Sequence, residues 1–358
     1  MNKGLIIADL RSNNNAGKCT GHYIPVAKMY QELFKKECNV FVAGGPVYEN
    51  YFSKDTFIKL PFNVSGDSFF HKLKLFFNSI CLFTKAKGRT IILQQSSDVT
   101  THLALALFYW GGSRLFLIRY SCHGIDSVLK QFIYTLCRYK INGIICPDQR
   151  VAEAYKRPHI IIPDYIYIPN ANTIPPLPYS DKKYDFCMVG RISEEKGIVE
   201  IAEILAKRNY KTVIAGKPQT QELADKLSQI CKNCPQIELV LDYISDAQYL
   251  QYLNDSKYTI LNYKGEYSER SSGVVFDTLF AGVPVIGCRC TALQFIETNN
   301  VGYVYESAEK LFSSRNEETC LCDVLFKEAQ YNLYLDNIRK YRDTHVNFAK
   351  NLIEFITE

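Results

Sequence analysis

Two short stretches of this 358-residue chain carry residue types able to hold an anionic ligand and act on it. The first is Val189-Gly190-Arg191-Ile192-Ser193-Glu194-Glu195-Lys196-Gly197, where an apolar run ends at Gly190 and a helix opens just after. At such a junction Gly190 permits close backbone approach, Ser193 can cap, and the free N–H groups of a helix start favour an anion. Arg191 and Lys196 add two positive charges, the guanidinium suited to bidentate contact and the ammonium to a point contact. A phosphate or diphosphate fits this set. A solvated loop whose cations pair with Glu194 and Glu195 is the plainer alternative.

The second stretch is Glu269-Arg270-Ser271-Ser272-Gly273-Val274-Val275-Phe276-Asp277, running on to Ala281-Gly282 and Pro284. A polar loop enters a helix that is apolar almost all round, with Asp277 as its one charge. A buried carboxylate needs a partner, because desolvating it alone is costly. Sugar or ribose hydroxyls are suitable donors; a neighbouring Arg or Lys is the structural alternative. Ser271, Ser272 and Gly273 offer backbone N–H groups and the positive end of a helix dipole to a second anion, with Glu269 just ahead of them.

Three further segments attract notice. The loop Asn13 to His22, containing Gly17-Lys18, precedes a helix but is not a P-loop: Ser12 stands where the first glycine is required and Cys19 where Ser or Thr is required. His123 follows a strand and lies between Cys122 and Gly124, as a site histidine or an ordinary loop residue. Residues 68–89 interleave Lys72, Lys74, Lys85, Lys87 and Arg89 with five phenylalanines. That composition suits peripheral contact with an anionic membrane face or, equally, a core helix with solvated lysines.

The elements that must position these residues alternate regularly. Strands are expected at Gly4–Leu10, Asn39–Gly44, Thr90–Gln94, Arg114–Tyr120 and Gly143–Pro147, with helices Tyr23–Lys36, Phe69–Lys85, Ser97–Phe108, Ile125–Tyr139 and Gln149–Tyr155 between them. A second series places strands at Tyr184–Gly190, Lys211–Gly216, Ile237–Asp242, Tyr258–Tyr263 and Pro284–Cys288. Alternation of this kind marks α/β architecture with parallel sheets. The five prolines between Ile161 and Lys183 exclude continuous helix or central strand, so this stretch reads as a linker. The expected organisation is an N-terminal domain over 1–170, a C-terminal domain over 171–330 and a final helix over 331–358. Two Rossmann-like open parallel-sheet domains then face a cleft, with the last helix packing back across both. Open sheets bind ligands beyond the carboxyl ends of their strands.

Composition narrows the classes. With 47% apolar and 22% charged residues the chain is expected to fold, and 42 basic against 37 acidic residues fall short of a nucleic-acid-binding stripe. No apolar run approaches the roughly 20 residues of a membrane span, and residues 4–8 are too short for a signal segment, so a cytoplasmic location is expected. The thirteen cysteines read as reduced thiols, since their pair spacings match no zinc ribbon or finger. No metal site and no cofactor is expected.

Together the two stretches resemble the donor half of GT-B fold glycosyltransferases, most closely the retaining family 4 (group 1), over roughly residues 184–305. The family's Gly-Arg-x4-Lys-Gly signature stands at Gly190, Arg191, Lys196 and Gly197, and its Glu-x7-Glu motif as Glu269 and Asp277. The resemblance implies a nucleotide diphosphate sugar as donor, a hydroxyl of a glycan or lipid-linked compound as acceptor, and a role in surface polysaccharide or glycolipid assembly. It also implies that Arg191 and Lys196 hold the diphosphate, Glu269 contacts the sugar, Asp277 holds the ribose, and the turn containing Tyr243 and Ile244 lies against the base. Gly17 and His123 match first-domain positions that approach donor, sugar or acceptor. Two departures stand out: Asp277 is one methylene shorter than the usual acid, and the loop glycine falls one place late, at Gly273. No Asp-x-Asp occurs in the chain, so Arg191, Lys196 and helix starts are expected to replace a metal at the leaving group. A nucleotide-sugar 2-epimerase and a catalytically silent binding subunit remain alternatives, whereas no Gly-x-Gly-x-x-Gly supports a dehydrogenase.

Overall fold

The structure, a computed structural model, describes residues 4–15, 18–19, 23–95, 99–163, 165–168, 177–269, 272–312, 325 and 327–358. The chain forms two compact units, one of Met1–Ile168 with Val346–Glu358 and one of Pro169–His345.

The first unit is built on seven parallel strands: β1 (Leu5–Asp9), β2 (Val40–Gly44), β3 (Phe57–Lys59), β4 (Thr90–Gln95), β5 (Leu115–Ile118), β6 (Gly143–Cys146) and β7 (His159–Ile161). They lie in the order β3-β2-β1-β4-β5-β6-β7. Both faces are covered, which is why Leu5–Ala8 of β1 read as an apolar run before Asp9, all five residues buried, where a half-exposed strand would alternate. Ile6 and Ala8 point into one core with α2 (Phe69–Ala86), α3 (Val99–Phe108), α4 (Val128–Cys137) and α5 (Gln149–Tyr155). Leu5 and Ile7 point into the other, with α1 (Tyr23–Phe34) and the end of the last helix through Leu352 and Ile356.

The second unit has six parallel strands, β8 (Tyr184–Val189), β9 (Thr212–Ala215), β10 (Ile237–Val240), β11 (Ser256–Leu261), β12 (Val285–Cys288) and β13 (Gly302–Tyr305). Their order is β10-β9-β8-β11-β12-β13. The helices are α6 (Ile198–Leu205), α7 (Gln221–Cys231), α8 (Asp246–Asn254), α9 (Gly273–Phe280), α10 (Gln294–Thr298) and α11 (Ala308–Phe312), followed by α12 (Glu328–Thr357), whose residues from Val346 belong to the first unit. In this sheet the direction of winding reverses between β8 and β11. Ligands of open α/β sheets bind at such a switch point, beyond the carboxyl ends of the strands. The loops that leave β8 and β11 there are the two stretches singled out in the sequence.

Three strands escape the periodicity. β3, β7 and β13 are three or four residues long and lie at sheet edges, where little burial leaves little pattern. Ile161 therefore belongs to the first sheet, paired with Cys146, not to the start of a linker. The ten cysteines whose side chains are described are all free thiols. Among the described residues no helix is long and apolar enough to cross a membrane.

The helix that carries Asp277 is closed at its far end by two devices. Gly282 N–H donates to Leu279 O at 3.0 Å and Val283 N–H to Thr278 O at 3.0 Å, the paired bonds of a Schellman stop. Arg342 of α12 donates to Leu279 O through Nε at 3.0 Å and Nη2 at 2.8 Å, and to Phe280 O through Nη2 at 2.7 Å. Charged hydrogen bonds of this type contribute about 1.5–3 kcal/mol each. Arg342→Ala is expected to lower the thermal midpoint of unfolding by several degrees, read by circular dichroism; an unchanged midpoint would show that this closure contributes nothing.

Candidate active site

The loop leaving β8 turns sharply at Gly190, whose φ of +98° is strained for any residue with a Cβ. A methyl group built there would lie 3.5 Å from Val274 Cγ2 and 3.7 Å from Lys196 Nζ. Val274 is in the first turn of α9, so this glycine brings the start of one site segment against the other. Gly197, at φ +56°, ends the loop, and a Cβ on it would strike Asn262 O at 2.4 Å. Asn262 Nδ2 donates to Gly197 O at 3.2 Å and to Glu200 Oε2 at 3.0 Å, and Tyr305 OH donates to Asn262 Oδ1 at 3.2 Å. The Lys-Gly end of the loop is thereby pinned to the strand end of β11.

Lys196 sits in a 3-10 turn, Glu194–Lys196, with its side chain drawn inward to 7% exposure. That turn packs on another, Gly265–Glu269, and Lys264 N–H donates to Glu195 O at 2.7 Å between them. The ammonium lies 5.7 Å from the ring centre of Tyr267, within cation–π range. Among the described residues neither Lys196 nor Arg191 forms an ion pair, so the expected alternative of pairing with Glu194 and Glu195 does not hold. Burial, with the Arg191 charge added, lowers the Lys196 ammonium to about 8. Arg191 itself is exposed. Ser193 occupies the cap position but its hydroxyl makes no capping bond; a three-residue turn has no helix amide to offer it.

Asp277 is half-buried on α9. Its partner is a phenol and not a cation: Tyr249 OH donates to Oδ2 at 3.0 Å, while Oδ1 has no partner among the described residues. Burial raises its carboxyl to about 6, against the lowering effect of Tyr249 and with a smaller raising effect of Asp246. Ser272 is buried at the cap of α9, where its hydroxyl bonds to Tyr263 OH at 2.5 Å and does not cap the helix. Gly273 is the first helical residue. Glu269 is exposed at the end of its turn, the turn against which Lys196 packs.

Tyr243 is exposed, and Ile244 packs half-buried beside Tyr249. The following helix, α8, opens with a reciprocal capping box, Ser245 Oγ accepting from Gln248 N–H at 3.3 Å and Gln248 Oε1 from Ser245 N–H at 3.1 Å. Gly17 and Ser271 lie outside the described residues. His123 belongs to the first unit, exposed in the loop between β5 and α4, with Nδ1 3.3 Å from Asp126 Oδ2 and its carbonyl accepting from Lys130 Nζ at 2.9 Å. Gly190, Arg191, Lys196, Glu269, Ser272, Gly273 and Asp277 are all in the second unit, on the two loops at its switch point and on the helix α9 that follows the second.

Sequence reasoning missed Tyr249, Tyr263, Tyr267 and Asn262. Only one signal pointed to any of them: an isolated acid on an apolar helix demands a donor, and Tyr249 supplies it. With the folded carboxyl raised above its ordinary value of 3.8, the folded state binds more protons than the unfolded between about 4 and 6. Stability from this group is complete below that window and lost as pH rises through it. Asp277→Asn should abolish this loss, seen as a smaller fall in denaturant midpoint between pH 4 and 6 than in the parent; identical profiles would refute the assignment of the slope to Asp277.

No curated protein matches the sequence. The fold is similar over the whole chain to a glycosyltransferase from Rickettsia africae ESF-5, at 14% identity, with 100% of each chain covered and a TM-score of 0.70. It is also similar to an E. coli structure described as trehalose-6-phosphate bound with UDP-2-fluoro glucose, at 9% identity, 99% of each chain and a TM-score of 0.68. HepE of Anabaena in complex with UDP and glucose is similar at 11% identity, 99% of each chain and a TM-score of 0.64. These likenesses place the two α/β units in the GT-B fold class. Residues 171–313, all within the second unit, match the family model described as Glycosyl transferases group 1, and the enzyme class supported for the chain is glycosyltransferase.

Proposed function

We propose that this chain transfers a sugar from a nucleotide diphosphate sugar to a hydroxyl acceptor, with retention at the anomeric carbon and without a divalent cation. The observation that carries the reading is the buried Lys196 ammonium beside Gly190 and the first turn of α9, without an ion-pair partner among the described residues. A cation drawn inward with no protein carboxylate to pair with is arranged for an anion from outside.

In this reading Arg191 and Lys196 grip the diphosphate, helped by the start of α9 at Ser272 and Gly273. Glu269 faces the sugar, the Oδ1 atom of Asp277 takes a ribose hydroxyl, and Tyr243 and Ile244 lie against the base. His123 serves the sugar or acceptor. The bond from the anomeric carbon to the diphosphate oxygen breaks through an oxocarbenium-like state, and the acceptor oxygen bonds to the same face. The acceptor's proton passes to the departing phosphate, so no protein nucleophile is needed. Charge developing on that phosphate meets donors already in place, which is the effective form of electrostatic catalysis. UDP and UDP-glucose complexes among the fold neighbours support UDP as the first nucleotide to test. The acceptor is a glycan or lipid-linked hydroxyl, as in surface polysaccharide or glycolipid assembly.

Arg191→Ala and Lys196→Ala should each lower turnover by about 10²–10³, the scale for removing one preorganised donor. A thermal-shift screen of UDP, GDP, ADP and CMP with their sugars identifies the donor, since a ligand at 100 times its Kd stabilises by about 2.7 kcal/mol. Near-wild-type rates in both variants would overturn the proposal, and a new nucleotide sugar formed without acceptor would redirect it to epimerase chemistry.

A further inference from the structure

Three neighbouring helices of the first unit are amphipathic in the wrong sense for a soluble surface. On α2 the buried residues Leu75, Asn78, Ser79, Leu82 and Ala86 occupy one arc against the sheet. At 100° per residue the opposite arc is held by Phe69, Phe70, Leu73 and Phe77, all exposed, Phe69 at 74% and Phe70 at 72%. Lys72 and Lys74 fall at the two margins of that arc.

The pattern repeats on the helices packed alongside, α3 against α2 and α4 against α3. Leu103 and Leu107 of α3 are exposed at i, i+4 spacing, while Thr101, His102, Ala104 and Leu105 are buried. On α4 the exposed residues are Val128, Leu129, Phe132 and Leu136, one stripe opposite the buried Tyr134 and Cys137. Just beyond α3 stands Trp110, the chain's single tryptophan, 89% exposed. Gly111 and Gly112 after it also have open space around them. Most of the large exposed apolar side chains among the described residues lie between Phe69 and Tyr139. Monomers rarely expose contiguous apolar surface on this scale without a partner.

Charge decides which partner. The whole chain is nearly balanced, at 42 basic to 37 acidic residues, yet α2, α3 and α4 contain no Asp or Glu at all. An apolar face margined by lysines, on helices with no acids of their own although Asp67 and Asp126 stand just before α2 and α4, and carrying an outward tryptophan suits an anionic bilayer, where lysines meet headgroups and the indole sits at the interface. A second copy of this chain fits less well, because lysine is depleted in protein interfaces and two such faces would repel.

We propose that α2, α3 and α4 form a face that docks in the plane of an anionic membrane. The surface extends well beyond residues 68–89 and is independent of the donor site. It would hold the enzyme where a lipid-linked acceptor is found.

The test uses the full chain and vesicles of phosphatidylcholine with or without about one-third phosphatidylglycerol, a composition chosen to set the surface charge. Flotation with the anionic vesicles, weakened by high salt, is expected, together with a blue shift of Trp110 fluorescence. Unfolding cannot mimic that shift, since the indole is already exposed. The variants Phe70→Ser with Phe77→Ser, and Leu129→Ser with Phe132→Ser, should each reduce partitioning at least tenfold, while leaving any thermal shift by nucleotides unchanged. Absence of flotation and of a blue shift would overturn the proposal. So would a concentration-dependent dimer, seen by analytical ultracentrifugation and dispersed by the same variants. Nucleotide binding measured on the same preparations reads the donor site separately, so failure of one assignment is not mistaken for failure of the other.

Discussion

A buried ammonium without a carboxylate partner among the described residues is the constraint around which the second unit is arranged. Lys196 is drawn inward by a 3-10 turn, and that turn exists because Gly190 and Gly197 take backbone conformations that other residues adopt only with strain. Asn262 and Tyr305 fix the loop's end, and Tyr267 supplies a ring instead of a counter-ion. Placing a cation there costs folding energy, as its lowered proton affinity records. Such a cost is retained where it prepares charge for a ligand.

Asp277 is held on different terms. The Tyr249 phenol satisfies one carboxylate oxygen, and the other has no partner among the described residues, so the acid is oriented without being neutralised by a cation. Arg342 and the Schellman stop hold the far end of α9, which keeps Asp277 and the helix start in fixed relation. The two site segments lie about eighty residues apart in the chain, and the parallel sheet brings them together because β8 and β11 are neighbours at its switch point.

Much of this was legible in the sequence. The strands β9 and β12 are buried on both faces and read as compact, largely apolar runs, β1, β8 and β11 read as β-rich runs with few charges, and Gly190, Arg191, Lys196 and Asp277 stood out by type and spacing. The edge strands β3, β7 and β13 were not legible, because short, half-paired segments carry no periodic signal. Nor were the tyrosines: Tyr249, Tyr263 and Tyr267 are three among 25, and nothing local distinguishes a phenol that orients an acid from one that fills a core. Ser193 was expected to cap and does not, since capping depends on helix length and not only on residue type. The inverted faces of α3 and α4 were hidden for a similar reason. Apolar periodicity shows that a helix has an apolar side, and only the fold shows which side meets the sheet.

The central claim is that Lys196, its proton affinity lowered by burial, is held in place for a diphosphate. Its most direct test is calorimetric titration of a nucleoside diphosphate at about pH 9, one unit above the lowered value, in buffers of different ionisation enthalpy. Binding that restores the ammonium should take up close to one proton, and Lys196→Met should take up none. Binding with no proton uptake, or with the same uptake in the variant, would contradict the account.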